Sequence, residues 1–206
     1  MTSTRVTARC VTEKISVASS NMADLRPTSE ILRSIGNDVV GRKRERELLV
    51  AALIAGRHIL LEGPPGTGKT HTAVATLAQL AREGRGPILA TAESNVAVDN
   101  LLEGLLEAGI RAVRTGRPVK VRESLRQATL DAQLEQHPKQ DEIAIIREET
   151  DEVQRALSKL KGREKGLAHR DIQYNKKEIR RLEKEMIASV LDNAQVICST
   201  NIGTRS

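Results

Sequence analysis

A chain of 206 residues has room for one α/β domain and an appendage, and falls short of two full domains of that size. Apolar residues make up 39% and charged residues 29%, and no apolar run approaches the ~20 residues that a membrane-crossing helix needs. The net charge of +6 is unevenly placed: residues 1–110 carry +1, residues 111–126 carry +5, and residues 127–206 are balanced.

The N-terminus lacks the apolar stretch of a secretory signal, and the two cysteines, Cys10 and Cys198, make neither a disulfide framework nor a metal cluster. The expected compartment is a reducing cytoplasm, with no membrane partner. There is no Trp and no Phe, and Tyr174 is the single tyrosine. Any grip on a single nucleic-acid strand must therefore come mainly through polar and backbone contacts. The basic segment holds Arg111, Arg114, Arg117, Lys120, Arg122 and Arg126 against Glu123. It reads either as a phosphate-facing patch or as a solvated basic edge.

Residues 1–36 are polar, small and without a sustained period, which predicts a weakly ordered arm. Residues 37–56 predict a helix, with Leu48, Leu49, Ala52 and Leu53 behind a charged first half and Gly56 at its end. A short apolar run at residues 58–61 predicts a buried strand, and a glycine-rich loop follows. Residues 72–83 and 98–108 predict helices closed by Gly84 and Gly109, and residues 87–91 and 110–115 predict strands. Strand, helix, strand, helix, strand predicts parallel βαβ units, an α/β fold with a parallel sheet.

The second half changes character. Ile143, Ile146, Thr150, Val153, Leu157 and Leu160 alternate spacings of three and four, a helical seam with one polar position. A second seam runs through Ile172, Ile179, Leu182, Met186 and Val190, with Gly162 and Gly166 predicted to interrupt between them. The pattern predicts an antiparallel helical hairpin over 136–193, either a stalk or a plain packing element. Residues 195–199 predict one more buried strand. The expected organisation is thus an arm at 1–36, a core at 37–135, the hairpin at 136–193, and a return strand and loop of the core at 194–206.

Residues 63–70, Gly63-Pro64-Pro65-Gly66-Thr67-Gly68-Lys69-Thr70, match G-x-x-x-x-G-K-[ST] at every fixed position, between a predicted strand and a predicted helix. The glycines let the backbone curl until several N–H groups face phosphate oxygens, and the following helix aims its positive end at the same point. In this arrangement Lys69 reaches the β- and γ-phosphates of ATP and the Thr70 hydroxyl completes the coordination of Mg2+. His71 adjoins the loop. A motor of this class also needs an apolar strand ending in Asp-Glu to orient water. Asp141-Glu142 and Asp151-Glu152 sit in helical sequence, and Asp99 falls at a helix start, so none qualifies. ATP binding with weak or absent hydrolysis is the expectation for these residues alone.

Four segments occur in order: residues 63–70; residues 92–99, Ala-Glu-Ser-Asn-Val-Ala-Val-Asp; residues 113–116, Val-Arg-Thr-Gly; and residues 196–203, Val-Ile-Cys-Ser-Thr-Asn-Ile-Gly. Together they resemble motifs I and Ia and the strand-loop before motif II of superfamily 1 helicases of the up-frameshift and immunoglobulin-mu-binding type. The resemblance covers residues 57–206. It implies the first part of a RecA-like P-loop core with a protruding, stalk-like hairpin, and Ser94, Asn95 and Thr200 touching the backbone of a single DNA or RNA strand. It further implies an Asp-Glu strand after residue 206 and a second RecA-like domain as partner. Where the family often has Ala-Pro-Ser-Asn, this chain has Glu93. Residues 39–42 with Glu45 and Glu47 are similar instead to the lead-in of MoxR-type AAA+ ATPases, an alternative reading. A nucleotide-gated, non-enzymatic binding module is the third.

Overall fold

The computed structural model describes residues 7–11, 28–38, 43–55, 57–64, 66–84, 86–116 and 121–201. Strands β3 (Ile88–Ala92), β4 (Ala112–Arg114) and β5 (Val196–Thr200) form a parallel sheet in the order β3-β5-β4. The last strand therefore enters between the two earlier ones, with Ala92 opposite Thr200 and Arg114 opposite Cys198. All three run in one direction, so their carboxyl ends open on one edge. The strands predicted at 87–91 and 110–115 are thus parallel, as expected, and the further buried strand predicted at 195–199 lies between them.

The strand before the glycine loop behaves differently. β2 (His58–Glu62) pairs antiparallel with β1 (Thr7–Val11), from Thr7 opposite Glu62 to Val11 opposite His58. The sequence pattern placed β2 among the parallel strands, because a βαβ reading assigns neighbours by chain order. Its backbone ladder is instead made with a segment of the polar arm, a pairing that no local pattern announces.

Helices α3 (Lys69–Arg82) and α4 (Asn95–Glu107) follow β2 and β3 and pack on each other. Leu101, Leu102 and Leu105 of α4, Ala78 and Ala81 of α3, and Val196 and Cys198 of β5 share one buried cluster. The helices approach closely because α4 carries Gly104, where a Cβ would lie 2.9 Å from Val74 Cγ2. Gln195 ties sheet to helices: its Nε2 donates to Ala81 O at 3.1 Å, and its Oε1 accepts from the Arg111 N–H at 3.0 Å.

Ahead of the loop, α1 (Thr28–Asp38) and α2 (Lys43–Ile54) share the span of the helix predicted at 37–56 and part of the predicted arm. Ile31 and Ile35 of α1 are buried with Val50 of α2 and Ala75 of α3, and Ser34 Oγ donates to Gln79 Oε1 at 2.8 Å. The end of the arm is thus an ordered, packed helix. Its three apolar residues, Ile31, Leu32 and Ile35, sit among polar ones, too few for a sustained period. The rest of the arm, apart from β1, lies outside the described residues, as do residues 39–42.

After β4 come a 3-10 segment (Glu123–Ala128) and α5 (Leu130–Glu135), then α6 (Lys139–Ala156) and α7 (Gly162–Asn193). Both predicted seams are buried or half-buried, with Ile143, Leu182 and Met186 in one cluster. The polar seam position, Thr150, accepts from Asn175 Nδ2 at 3.1 Å while donating to Ile146 O at 2.6 Å. Lys139–Glu185 at 2.6 Å and Arg147–Glu183 at 2.8 Å join the two helices, with α7 partners falling in number as those of α6 rise. Gly166 lies inside α7 rather than interrupting it. One interior glycine costs a helix about 1 kcal/mol, which a helix of 32 residues packed on its neighbours from Ala168 onward absorbs. Among the described residues no helix is long and apolar enough to cross a membrane.

Candidate functional site: the glycine loop and the strand ends

The loop from Gly63 to Gly68 links the end of β2 to the start of α3. Gly66 and Gly68 have φ of 75° and 76°, a left-handed conformation that side chains with a Cβ rarely adopt. Gly68 is the N-cap of α3, so the turn that only glycine makes easily is the one that starts the helix. Thr67 Oγ1 donates to Pro64 O at 2.8 Å and closes the loop from inside. Pro65 lies outside the described residues.

Lys69 folds back over this loop. Its Nζ donates to Pro64 O at 2.6 Å, to Gly63 O, and to Thr67 Oγ1 at 3.5 Å. All three acceptors are neutral oxygens, and no carboxylate among the described residues pairs with Lys69. The ammonium charge is therefore uncompensated at the loop. The first turn of α3 carries no acidic residue, and the backbone N–H groups at a helix start add positive potential. A cleft of ≈ 440 Å³ is lined by Gly66, Thr67, Gly68, Lys69, Thr70 and His71. A second of ≈ 360 Å³ runs from Thr70 and His71 to Asn100 and Glu103 on α4. A cationic glycine loop at a helix start suits a polyphosphate.

The second candidate region is the edge where the parallel strands end. Thr200 stands beside Ala92 in register, and the Asn201 N–H donates to Ala92 O at 3.1 Å. The loop carrying Ser94 and Asn95 and the end of β5 are thus neighbours, although more than a hundred residues separate them in the chain. Ser94 caps α4, its Oγ accepting from the Ala97 N–H at 3.2 Å.

Beneath Asn95 lies a buried ion pair absent from the sequence reading. Arg114, 1% exposed, donates through Nε to Asp99 Oδ1 at 2.8 Å and through Nη2 to Asn95 Oδ1 at 2.7 Å. Asp99, 2% exposed, also accepts from the Arg122 N–H at 3.3 Å. A guanidinium only donates, so the Asn95 carbonyl oxygen must face Arg114 and its amino group the other way. Two signals in the chain pointed here: Asn95 and Asp99 are four apart on one helix face, and Arg114 ends an apolar strand. Neither signal names the partner.

The described cations of the basic segment have partners. Arg114 is buried, Arg122 pairs with Glu103 at 2.8 Å and also meets Asn100, Arg126 faces Glu123 at 3.9 Å, and Arg111 Nε donates to Asn193 O at 3.2 Å. Arg117 and Lys120 lie outside the described residues. Each described cation of 111–126 thus has a partner within the fold, while Arg111, Arg122 and Arg126 remain exposed. Cys198, buried in β5 beside this network, has its thiol pushed up to about 12 by burial, with Arg114 opposing. It is a core residue and not a nucleophile.

Glycine loop, helix start and parallel sheet define a P-loop α/β domain. A family model described as an AAA domain matches residues 43–206, and the chain belongs to that family. It is 35% identical over 181 residues to the DNA-binding protein SMUBP-2 of Mesocricetus auratus, a match that covers 87% of this chain and 18% of that protein. It is 34% identical over 148 residues to the DNA polymerase alpha-associated DNA helicase A of Schizosaccharomyces pombe, covering 71% and 22%. An ATP-dependent helicase of Methanocaldococcus jannaschii is 36% identical over 117 residues, covering 55% and 18%. The chain spans less than a quarter of the length of these relatives. The resemblance to superfamily 1 helicases of the immunoglobulin-mu-binding type holds, and the chain corresponds to the ATP-binding portion of such a helicase.

Proposed function

We propose that this chain binds ATP with Mg2+ at its glycine loop and holds a single nucleic-acid strand at the ends of β3 and β5. It does so as the first RecA-like half of a helicase that moves along that strand by closing a second RecA-like domain against it. The observation that carries the reading is the Lys69 ammonium, without a carboxylate partner among the described residues, lying across the glycine loop at the start of α3.

In this reading Lys69 exchanges its carbonyl partners for the β- and γ-phosphates, which are stronger acceptors because they are charged. The exposed Thr70 hydroxyl, in the first turn of α3, holds Mg2+. When bound, that ion neutralises part of the phosphate charge. Gly63, Pro64, Pro65, Gly66, Thr67 and Gly68 supply the cradle, and His71 borders it. Ser94, Asn95 and Thr200 contact the strand backbone, with the amino group of Asn95 turned outward by Arg114 as a phosphate donor. The pair α6–α7 projects as an antiparallel hairpin from the core. The domain limits follow the organisation given above, with α1 added to the core.

The test is direct. Lys69→Ala removes two charge-assisted contacts and is expected to weaken ATP binding at least roughly a hundredfold. Titration with a fluorescent ATP analogue measures it, and unchanged affinity would refute the assignment.

A further inference from the structure

α7 is written on a seven-residue repeat that neither the loop nor the strand ends use. Residues 163–164, 170–171, 177–178 and 184–185 read Arg-Glu, Arg-Asp, Lys-Glu and Lys-Glu, a cation and then an acid at the start of each of four heptads. The third and sixth heptad positions supply the buried residues Ala168, Ile172, Leu182 and Met186. In an α-helix the first, fourth and fifth positions then point away from that seam. Over residues 163–188 these are twelve positions, and every one is exposed.

Six of the twelve are cations, and none is an acid. Arg181 is engaged, donating to Glu178 and, at 2.6 Å, to Glu185. Arg163, Arg170, Lys177, Arg180 and Lys184 form no ion pair among the described residues. A solvated helix face ordinarily mixes signs, since opposite charges three or four apart stabilise it and like charges cost similar amounts. Here Lys177, Arg180, Arg181 and Lys184 are spaced three and four apart with one sign. The acids of the same helix lie to the side, where Glu178, Glu183 and Glu185 are paired. The row from Arg163 to Lys184 is about 32 Å long. In its middle, between Arg170 and Lys177, stands Tyr174, the chain's single aromatic residue, 69% exposed.

We infer that the outer face of α7 is a second docking surface for single-stranded nucleic acid, its phosphates lying along the cation row and an unpaired base stacking on Tyr174. Charge complementarity selects a polyanion, which relieves the like-charge spacing. The exposed ring selects one with free bases. The inference rests on the nucleic-acid reading given under Proposed function, and names a surface away from the strand ends.

Fluorescence anisotropy of the full chain with a labelled oligothymidine of about 20 nucleotides, over a series of salt concentrations, tests it. Replacing Arg163, Arg170, Lys177 and Lys184 together by Gln is expected to make the salt dependence shallower by about 3 in log–log slope and to lower affinity at least roughly tenfold. Tyr174→Ala is expected to lower affinity roughly tenfold, with Tyr174→Phe close to the parent. ATP affinity and melting temperature serve as folding controls, because all these side chains are exposed. Asn95→Asp, which keeps a partner for Arg114 but removes the phosphate donor, reports on the strand ends independently. Loss of binding in the fourfold variant supports the inference whatever Asn95→Asp does. An unchanged slope and affinity in that variant overturn it, and a simultaneous loss in Asn95→Asp leaves the strand-end reading standing. A parent chain that binds no oligonucleotide at low salt overturns both, and an acidic protein then becomes the partner to seek.

Discussion

Asp99 and Arg114 show what one side chain costs when its surroundings are dry. Both charges are almost wholly shielded from water, and each is matched by the other and by a further hydrogen bond. Removing one partner of such a pair leaves the other charge without solvent or counter-charge. Asp99→Ala is therefore expected to destabilise the chain by about 3–5 kcal/mol, a loss that urea unfolding reads as a lower midpoint with an unchanged slope. Asp99→Asn keeps the shape and one acceptor, so it falls between parent and Ala variant. The same pair fixes the amide of Asn95, which makes it a positioning device for the candidate strand contact. Asp99, which falls at a helix start and not at the end of an apolar strand, is structural, because it pairs with Arg114 of β4.

Between elements, α3 and α4 cross closely at Gly104. Gly104 has the α-helical conformation of any residue, so its glycine serves the neighbour and not the backbone. A Cβ there meets a Val74 methyl at 2.9 Å, and valine, branched at Cβ, has little rotameric freedom to yield. Gly104→Ala gains about 0.5–1 kcal/mol of helix propensity and loses about 1–3 kcal/mol to overpacking. A net loss is expected in thermal unfolding, and the double variant Val74→Ala with Gly104→Ala is expected to recover part of it through a favourable coupling. Both helices were legible in the chain, with ends displaced by a few residues. Their mutual distance was not, because a glycine within a helical pattern reads as a defect until its neighbour across the interface is known.

At the scale of the molecule, the loop and the strand ends sit on one α/β body whose stability is linked to what it binds. A ligand held only by the folded state adds about 2.7 kcal/mol at a concentration of a hundred times its dissociation constant. For a chain of this size that is roughly 5–10 °C in melting temperature. Saturating ATP with Mg2+ is therefore expected to raise the melting temperature of the parent by that amount and to leave Lys69→Ala unmoved, which differential scanning fluorimetry checks.

What the chain determines by itself is local. The glycine loop, its lysine and threonine, the short apolar strands, two helices between them and two seams of alternating spacing all follow from neighbours within a few residues, where steric freedom and periodic burial act. Those features also carried the family resemblance. Tertiary structure alone decided the partner of β2, the packing of α1 on α3 and the burial of Arg114 against Asp99. Each of these joins residues far apart in the chain. The free energy that selects such pairings comes from desolvation and close packing across the fold, which no window of sequence contains.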